Sequence, residues 1–226
     1  VNQVDTYVRS GRYPTHTPFP FIVGRDIVGR VAAIGPGVAE FAIGDRVWSN
    51  SLGHAGRQGS FADYALVPVD RLYPLPDGVA VQEAASVLHA AATAHIALFR
   101  EARLEPGETV LIAGGAGSVG TAAVQLAHWS GARVIATAGP DDLERCRDNG
   151  ADTVFDYHDR NLGDRLRAAA PSGVDVWWDT SGHHDLAGTL ELLRLGGRIL
   201  VTAGMEQTPH LPIGALYPRD VTILGF

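Results

Sequence analysis

Hydrophobic and polar positions follow two different patterns along the chain. Residues 1–87 contain short alternating or β-branched runs at 27–31 and 45–48, bounded by turn residues such as those at 35–37. Such runs predict short strands in an irregular, mostly β domain. Around residues 81–99 the sequence becomes rich in alanine, which favours a helix. We therefore expect a domain boundary near residue 87.

Apolar runs alternate with helical segments from residue 108 onward. Strands are predicted at 109–113, 133–137, 153–156, 174–178, 198–202 and 221–224, and helices at 119–129, 143–148, 162–170 and 186–194. Strands that alternate with helices in this way form a parallel sheet covered on both faces. The expected fold class is α/β, with a doubly wound parallel sheet over residues 88–226 and the mostly β domain over residues 1–87.

Composition and charge exclude several classes of partner. The chain is 46% apolar and 19% charged with a net charge of −7, so it has no broad attraction for nucleic acid or for a membrane surface. No apolar run reaches the roughly 18 residues of a membrane span. Cys146 is the only cysteine, which excludes an internal disulfide and fits a cytoplasmic location. The chain starts at Val1 and stops at Phe226 after an apolar run, so we expect a fragment of a longer product.

The strongest chemical signal is a glycine-rich turn at residues 115–120. It reads G-A-G-S-V-G, follows a predicted strand and opens a predicted helix. In this context the first glycine permits a tight turn, the second lets the backbone approach a pyrophosphate, and the third lets the helix pack on the strand. The amides at the start of the helix then face the phosphates. The turn predicts a dinucleotide-binding site.

The end of the second strand bears on which dinucleotide is bound. An NAD site usually carries an acid there for the ribose hydroxyls, but here the strand ends in Ala138 and Gly139. Small residues leave space for a 2′-phosphate, which favours NADPH over NADH. Asp141 and Asp142 would repel that phosphate if they pointed inward. Either Arg145 or Arg147 would supply positive charge, unless both are solvated positions on the helix.

Four segments together resemble the medium-chain dehydrogenase/reductase superfamily, in its quinone oxidoreductase (zeta-crystallin-like) branch. They are V-N-Q-V-D-T-Y at residues 1–7, G-D-R-V at 44–47, G-S-F-A-D-Y at 59–64 and A-G-G-A-G-S-V-G at 113–120. The resemblance covers essentially the whole chain. It implies a GroES-like catalytic domain followed by a Rossmann-type domain, with the cofactor in the cleft between them.

The resemblance also implies particular site residues. Asn2, Tyr7 and Tyr13 match the residues that line the nicotinamide and substrate pocket, and Tyr157 matches a tyrosine beside the 2′-phosphate. The lysine that the family carries in the loop after the second strand is absent here. The expected cofactor-binding residues are Thr93, Gly115, Ala116, Gly117, Ser118, Val119, Gly120, Gly139, Arg145, Tyr157 and Gly204.

Residues that would bind zinc are missing from the expected positions. The first ligand of zinc-dependent relatives aligns with Asn2, and their G-H-E segment appears here as Gly24-Arg25-Asp26. Neither Asn2 nor Arg25 supplies a thiolate or an imidazole, so we expect no zinc. Arg25 then either approaches the pocket or forms a structural ion pair. Surface or packing roles are expected of His54, His89, His95, His183 and His184.

Without a metal, hydrogen-bond donors must stabilise the substrate oxygen. We expect Asn2, Tyr7 and Tyr13 to orient the substrate, with Tyr7 or water as the proton source. The predicted activity is NADPH-dependent reduction of a quinone. The alternatives are reduction of an enone or enoyl-thioester double bond, an NADPH-binding structural role, or an inactive fragment. A homodimer through the edge strand at 221–224 is expected, with no nucleic-acid or membrane partner.

Overall fold

Two compact units make up the computed structural model, which describes residues 1–226. The first unit is Val1–His89 and the second is Ala90–Phe226. In the first unit, helix α1 (Gln3–Ser10) precedes an antiparallel sheet of β1 (Ile27–Arg30), β2 (Arg46–Ser49) and β3 (Tyr73–Pro74). Strand β2 lies in the middle of this sheet. Helix α2 (Val81–His95) begins in the first unit and ends in the second.

Helix α1 was not predicted, because the mostly β reading of this region overlooked its local capping. Asn2 precedes the helix in an extended conformation, and its backbone N–H donates to Asp5 Oδ2 at 2.7 Å. An acidic side chain in the first turn stabilises the start of a helix. Gly11 ends the helix in the left-handed conformation, at φ 76°. Val4, Tyr7 and Val8 between these two signals have the i, i+3, i+4 spacing of one helix face, a pattern that the sequence analysis missed.

The second unit is the predicted doubly wound sheet. Its six strands run in the order β6-β5-β4-β7-β8-β9, and every adjacent pair is parallel. The elements in chain order are β4 (Thr109–Ala113), α3 (Ser118–Trp129), β5 (Arg133–Ala138), α4 (Leu143–Asp148), β6 (Thr153–Asp156), α5 (Leu162–Ala169), β7 (Val174–Asp179), α6 (Leu186–Leu192), β8 (Leu193–Val201), α7 (Ile213–Leu216) and β9 (Thr222–Gly225). Strand order reverses between β4 and β7, where ligands bind in folds of this kind.

Alternate residues of β4 point into two different cores. Val110 and Ile112 pack in one apolar cluster with α3, while Leu111 belongs to a second cluster with β7 and α6 residues. The neighbouring tryptophans of β7 divide in the same way, because Trp178 is fully buried in the first cluster and Trp177 packs against the second. Both faces of the sheet are therefore covered, as predicted.

Two predicted boundaries were wrong. The helix expected to end at residue 194 ends at Leu192, and β8 starts at Leu193 rather than Arg198. A Cβ built on Gly173 would lie 2.6 Å from the backbone nitrogen of Arg194, so the chain runs close beside β7 there and extends early. The alanine-rich helix α2 is followed by a π-helical turn at Ile96–Glu101, so the helical segment ends two residues beyond the predicted end.

No helix in the structure is both long enough and apolar enough to cross a membrane.

Candidate functional site

The glycine-rich turn holds α3 directly against the end of β4. A Cβ built on Gly120 would lie 2.1 Å from the carbonyl oxygen of Gly114, and one on Gly115 would lie 2.9 Å from Ala136 Cβ. Gly114 itself is left-handed, at φ 81°. Side chains at these positions would push the helix away from the strand. Close contact between α3 and the end of β4 therefore explains the glycines at the first and last positions of G-A-G-S-V-G.

The first turn of α3 is free of protein groups that would compete with an anion. Gly117 precedes the helix, no side chain caps it, and the first turn contains no acid. The first backbone amides of a helix have no partner within the helix, and the dipole places partial positive charge there. A Cβ on Gly117 would meet only the carbonyl oxygen of Gly114, at 3.4 Å. The turn thus presents open backbone amides of the kind that bind a diphosphate.

Arg145 lies beside this turn. Its Nη2 atom donates to the carbonyl oxygen of Ala116 at 2.8 Å and lies 3.1 Å from Asp142 Oδ1. Both arginines considered in the sequence are solvent-exposed, and Arg145 is the one that reaches the glycine turn. Asp142 is neutralised by this pairing, which removes part of the repulsion expected against a phosphate.

Gly139 and Tyr157 also meet near the end of β5. A Cβ on Gly139 would lie 3.3 Å from the hydroxyl oxygen of Tyr157, whose backbone N–H donates to the carbonyl of Ala138 at 3.1 Å. Tyr157 is 52% exposed, so its ring is open to a ligand. No carboxylate stands at the tip of β5. The end of this strand therefore offers the hydroxyl of Tyr157 and the guanidinium of Arg145, which is paired with Asp142.

The loop after β7 is fastened to the glycine turn by Thr180. Its hydroxyl donates to the carbonyl oxygens of Ala113 at 2.9 Å and Gly114 at 3.2 Å. The same loop approaches the loop after β8, because a Cβ on Gly204 would lie 3.0 Å from the Nε2 atom of His184. Gly204 is left-handed, at φ 82°. Contacts therefore connect the expected cofactor-binding residues that follow β4, and Thr93 lies in α2.

His184 is buried, as expected of a packing residue, but it has a carboxylate partner that sequence spacing did not indicate. Its Nδ1 atom lies 3.2 Å from Asp179 Oδ2, and its Nε2 atom lies 2.9 Å from the carbonyl oxygen of Ala203. Both ring nitrogens therefore face oxygen atoms of neighbouring residues. Asp179 Oδ1 also accepts from the backbone and hydroxyl of Ser181, each at 2.7 Å. The cluster holds the loops after β7 and β8 together.

Helix α1 contains Tyr7, and Asn2 and Tyr13 lie shortly before and after it. The carbonyl oxygen of Tyr7 accepts from the backbone N–H of Tyr13 at 3.2 Å. Asn2 Nδ2 donates to Asp26 Oδ2 at 2.8 Å, so one of its two N–H groups is committed. In the sequence, Asp26 was noted only as the residue at the position of the glutamate in the G-H-E segment of zinc-dependent relatives. Its role as the hydrogen-bond partner of Asn2 was missed.

Burial controls the ionisation of the groups around Asn2. It raises the pKa of Asp26 despite the hydrogen bond from Asn2, and it lowers the pKa of His89, an effect that Asp26 partly opposes. Asp26 Oδ1 is buried without a hydrogen-bond partner. The Asn2–Asp26 pair is therefore a poorly solvated polar contact within the first unit.

His54 belongs to a second polar group, around Arg25. The guanidinium of Arg25 lies 5.4 Å from the centre of the Tyr13 ring. Arg57 Nη2 lies 2.7 Å from His54 Nε2. Burial, followed by the charges of Arg25 and Arg57, lowers the pKa of His54 to about 4. His54 is therefore a neutral acceptor at physiological pH.

The lowered pKa of His54 predicts loss of stability in acid. The unfolded state gains a proton at His54 as the pH falls below 6.5, while the folded state resists until about 4. The contribution of His54 is thus complete above pH 6.5 and declines as the pH falls from there toward 4. The difference in Tm between the parent chain and His54→Gln should shrink over this window. The exposed control His158→Gln should follow the parent at every pH, and a constant difference for His54→Gln would contradict the assignment.

The donor set does not fit a zinc site. Asn2 and Arg25 stand where zinc-dependent relatives would supply a thiolate and an imidazole, and no group of three or more His, Cys, Asp or Glu side chains in residues 1–226 could hold a metal ion. A guanidinium has no lone pair to offer a cation. We derive no chemical step through zinc.

Comparison with known proteins identifies the families to which the two parts of the chain are similar. The alcohol dehydrogenase GroES-like domain matches residues 1–77, and the zinc-binding dehydrogenase family matches residues 118–226. The chain is 36% identical to the quinone oxidoreductase of Rattus norvegicus over 227 residues, covering 100% of this chain and 68% of that protein. It therefore spans about two thirds of that relative.

Two solved structures share the fold over the whole chain. An NAD-dependent alcohol dehydrogenase superposes with a TM-score of 0.91 at 31% identity, with 73% of its own chain covered. A mycobacterial protein in complex with NADPH superposes with a TM-score of 0.86 at 32% identity, with 70% of its chain covered. Together with the family matches, these relatives show that the chain belongs to the medium-chain dehydrogenase/reductase superfamily of oxidoreductases, in its quinone oxidoreductase branch.

Proposed function

We propose that this chain carries the cofactor site and part of the substrate site of a zinc-independent NADPH-dependent reductase that acts on a quinone. The observation that carries the proposal is the glycine turn, where backbone contacts exclude any side chain at Gly120 and leave the start of α3 uncapped. An uncapped helix start after a parallel strand is suited to a diphosphate. The quinone oxidoreductases among its relatives support the acceptor class.

NADPH is favoured over NADH by the end of β5. Arg145, bonded to Ala116, and the exposed Tyr157, beside Gly139, supply a cation and a hydroxyl where an NAD site would carry an acid. One solved relative binds NADPH and another is NAD-dependent, so the superfamily includes both choices. In this proposal, the preference of this chain for NADPH over NADH depends on Arg145.

When bound, the reduced nicotinamide supplies the hydride that reduces the acceptor. Asn2 keeps one N–H group for an acceptor oxygen, because Asp26 holds the other and fixes the direction of the amide. In this proposal, the Tyr7 hydroxyl or a water molecule donates the proton that completes the reduction, and Tyr13 helps to orient the acceptor. These roles follow the family resemblance, and the contacts within the first unit are compatible with them.

A second candidate activity is reduction of an enone or enoyl-thioester double bond. The same donors would stabilise an enolate oxygen as well as a quinone oxygen. Steady-state oxidation of NADPH with matched panels of quinones and enones tests both activities. Turnover of quinones supports the proposal, and turnover of enones alone supports the alternative. Cofactor binding without turnover of any acceptor would indicate a structural role or an incomplete catalytic unit, and it would overturn the proposal for this chain.

Tyr7→Phe is expected to lower kcat/KM for the preferred acceptor by about 100-fold, since the variant keeps the ring but loses the proton donor. NADPH affinity should be unchanged, because the hydroxyl is not assigned to the cofactor. Tyr64→Phe removes a hydroxyl from a tyrosine that is 78% exposed and serves as the control. Equal kcat/KM for the parent chain and Tyr7→Phe would remove Tyr7 from this role.

The homodimer expected from the sequence stays a prediction. Strand β9 is the outermost strand of the six-stranded sheet, and Thr222 and Ile223 are exposed on it. An open apolar edge strand favours pairing with a second sheet. We therefore propose that the second unit pairs through β9.

A further inference from the structure

The buried pair Asp179–His184 joins the ends of two neighbouring strands. Asp179 is the last residue of β7, and His184 lies in the loop that follows it. The side chains of His184 and Asp179 are only 5% and 4% exposed. On its other side the imidazole meets the carbonyl oxygen of Ala203, in the loop after β8, at 2.9 Å. The ring of His184 therefore spans the gap between the two loops and is shielded from solvent.

The two loops also touch through the backbone of two glycines. Gly182 and Gly204 are both left-handed, at φ 81° and φ 82°. A Cβ built on Gly182 would lie 3.0 Å from the backbone nitrogen of Gly204, and one on Gly204 would lie 3.1 Å from the carbonyl oxygen of Gly182. The Nε2 atom of His184 is equally close to Gly204. The position of Gly204 therefore depends on the imidazole and on the backbone of the loop after β7.

Only one side of this contact is firmly held without His184. In the loop after β7, Asp179 Oδ1 accepts from the backbone N–H and the hydroxyl of Ser181, each at 2.7 Å, and from the N–H of Gly182 at 3.2 Å. Thr180 fastens the same loop to the end of β4. In the loop after β8, by contrast, residues 205–210 are exposed. The bond from His184 to Ala203 therefore fixes the start of the more open loop to the better-held one.

The strand order places both loops in the second half of the cofactor site. Folds with the order β6-β5-β4-β7-β8-β9 contain two mononucleotide-binding halves and bind a dinucleotide across the reversal between β4 and β7. The glycine turn at residues 115–120, Gly139 and Tyr157 belong to the first half, which was assigned to the phosphates and the adenosine. The loops after β7 and β8 then face the nicotinamide half.

We propose that Asp179 and His184 are positioning residues for the nicotinamide half of the cofactor. Both side chains are too buried to touch a ligand, so they act through the backbone of Ala203 and Gly204. The inference rests on the proposed reductase function and deepens it, because it separates the residues that bind the phosphates from those that orient the reacting ring. Orientation of reacting groups contributes strongly to rate, and a small displacement is costly.

Two substitutions at His184 separate its two contacts. His184→Asn keeps an amide near the position of Nδ1, beside Asp179, but is too short to reach Ala203. His184→Gln places an amide near the position of Nε2 and can still donate to the carbonyl of Ala203. We expect His184→Asn to bind NADPH about 10-fold more weakly, because it loses a buried hydrogen bond, and His184→Gln to stay within about threefold of the parent. Calorimetric titration measures the affinities, and thermal denaturation checks folding.

A ligand without nicotinamide distinguishes positioning from general stability. 2′-Phospho-ADP-ribose carries the adenosine, the 2′-phosphate and the diphosphate of NADPH but lacks the ring. It should bind His184→Asn and the parent chain with affinities within about twofold of each other. At saturating NADPH, the increase in nicotinamide fluorescence on binding should be smaller in His184→Asn than in the parent and be restored in His184→Gln. A role in stability alone would weaken both ligands alike.

His183→Gln is the matched control. His183 is the adjacent residue, but it is exposed and its ring reaches the hydroxyl of Ser181, at 3.4 Å, rather than the loop after β8. It should bind both ligands as the parent does. Unchanged NADPH affinity in His184→Asn, or equal weakening of both ligands, would overturn the inference and leave the cofactor site standing.

Two further outcomes are also decisive. Failure of both His184 variants to fold would assign the pair to global stability and overturn the inference. Absence of binding of either compound to the parent chain would reject the reductase function itself, and the inference with it.

Discussion

Gly120→Ala is expected to abolish NADPH binding and to lower the free energy of unfolding by about 3 kcal/mol, at the upper end for an overpacked site. The added Cβ would lie 2.1 Å from the carbonyl oxygen of Gly114 and 2.9 Å from its carbonyl carbon. Both atoms are backbone, so no side-chain rotation relieves the clash. Helix α3 would have to move away from β4, and the amides of its first turn would lose their position. Urea denaturation measures the stability, and calorimetric titration measures the affinity.

Two other glycines separate steric packing from phosphate binding. Gly214→Ala should leave stability and affinity within error of the parent or slightly raise stability, because nothing lies within 4 Å of the added carbon and the site is helical. Gly117→Ala should fold with little loss, since its carbon meets only one oxygen at 3.4 Å, but should bind NADPH weakly because it obstructs the approach of the diphosphate. Normal NADPH affinity in Gly120→Ala would refute the assignment of this turn.

Arg145→Gln should weaken NADPH binding by about 30-fold and change NADH binding by less than about twofold, as expected for loss of one charge-assisted contact to a phosphate. The two cofactors differ only in the 2′-phosphate, so the comparison isolates that group. Arg145 is held beside the glycine turn by its hydrogen bond to Ala116. Titration of each nucleotide into each variant gives the four affinities that are needed.

Arg147→Gln is the control for this experiment. It removes the same charge from an exposed position two residues further along α4. It should bind both nucleotides as the parent does, apart from a small effect of net charge that disappears at higher salt. A similar loss of NADH and NADPH affinity in Arg145→Gln would mean that Arg145 supports the turn rather than the 2′-phosphate.

The second unit could be predicted closely because its signals are local and redundant. Buried parallel strands are continuous apolar runs, and each is followed by glycine or a turn residue. Strand β4 was predicted with the bounds that it has, and the start of α3 differs by one residue. The prediction was wrong where β8 begins, at Leu193, because the chain there runs against Gly173, the residue just before the neighbouring strand β7.

The first unit and the polar contacts of both units were harder to predict. Helix α1 has an apolar face formed by Val4, Tyr7 and Val8 and capping residues at both ends, but a search for alternating runs did not find it. The pairs Asn2–Asp26 and His184–Asp179 join residues from different loops or strands, and their spacing in the sequence carries no signal. For Arg25, the sequence left a pocket position and an ion pair equally open. In the structure, the Nε atom of Arg25 is buried without a hydrogen-bond partner, and the guanidinium lies 5.4 Å from the centre of the Tyr13 ring.

One hydroxyl group links two loops that are far apart in the sequence. Thr180 directly follows β7, and its hydroxyl is bonded to the carbonyl oxygens of Ala113 and Gly114 at the end of β4. Those carbonyls precede the glycine-rich turn at residues 115–120, so Thr180 fastens the two loops to each other. Any insertion or substitution that displaces the loop after β7 will therefore also disturb the glycine-rich turn at residues 115–120. We therefore expect that exchanging this loop for that of a relative lowers cofactor affinity unless Thr180 is kept.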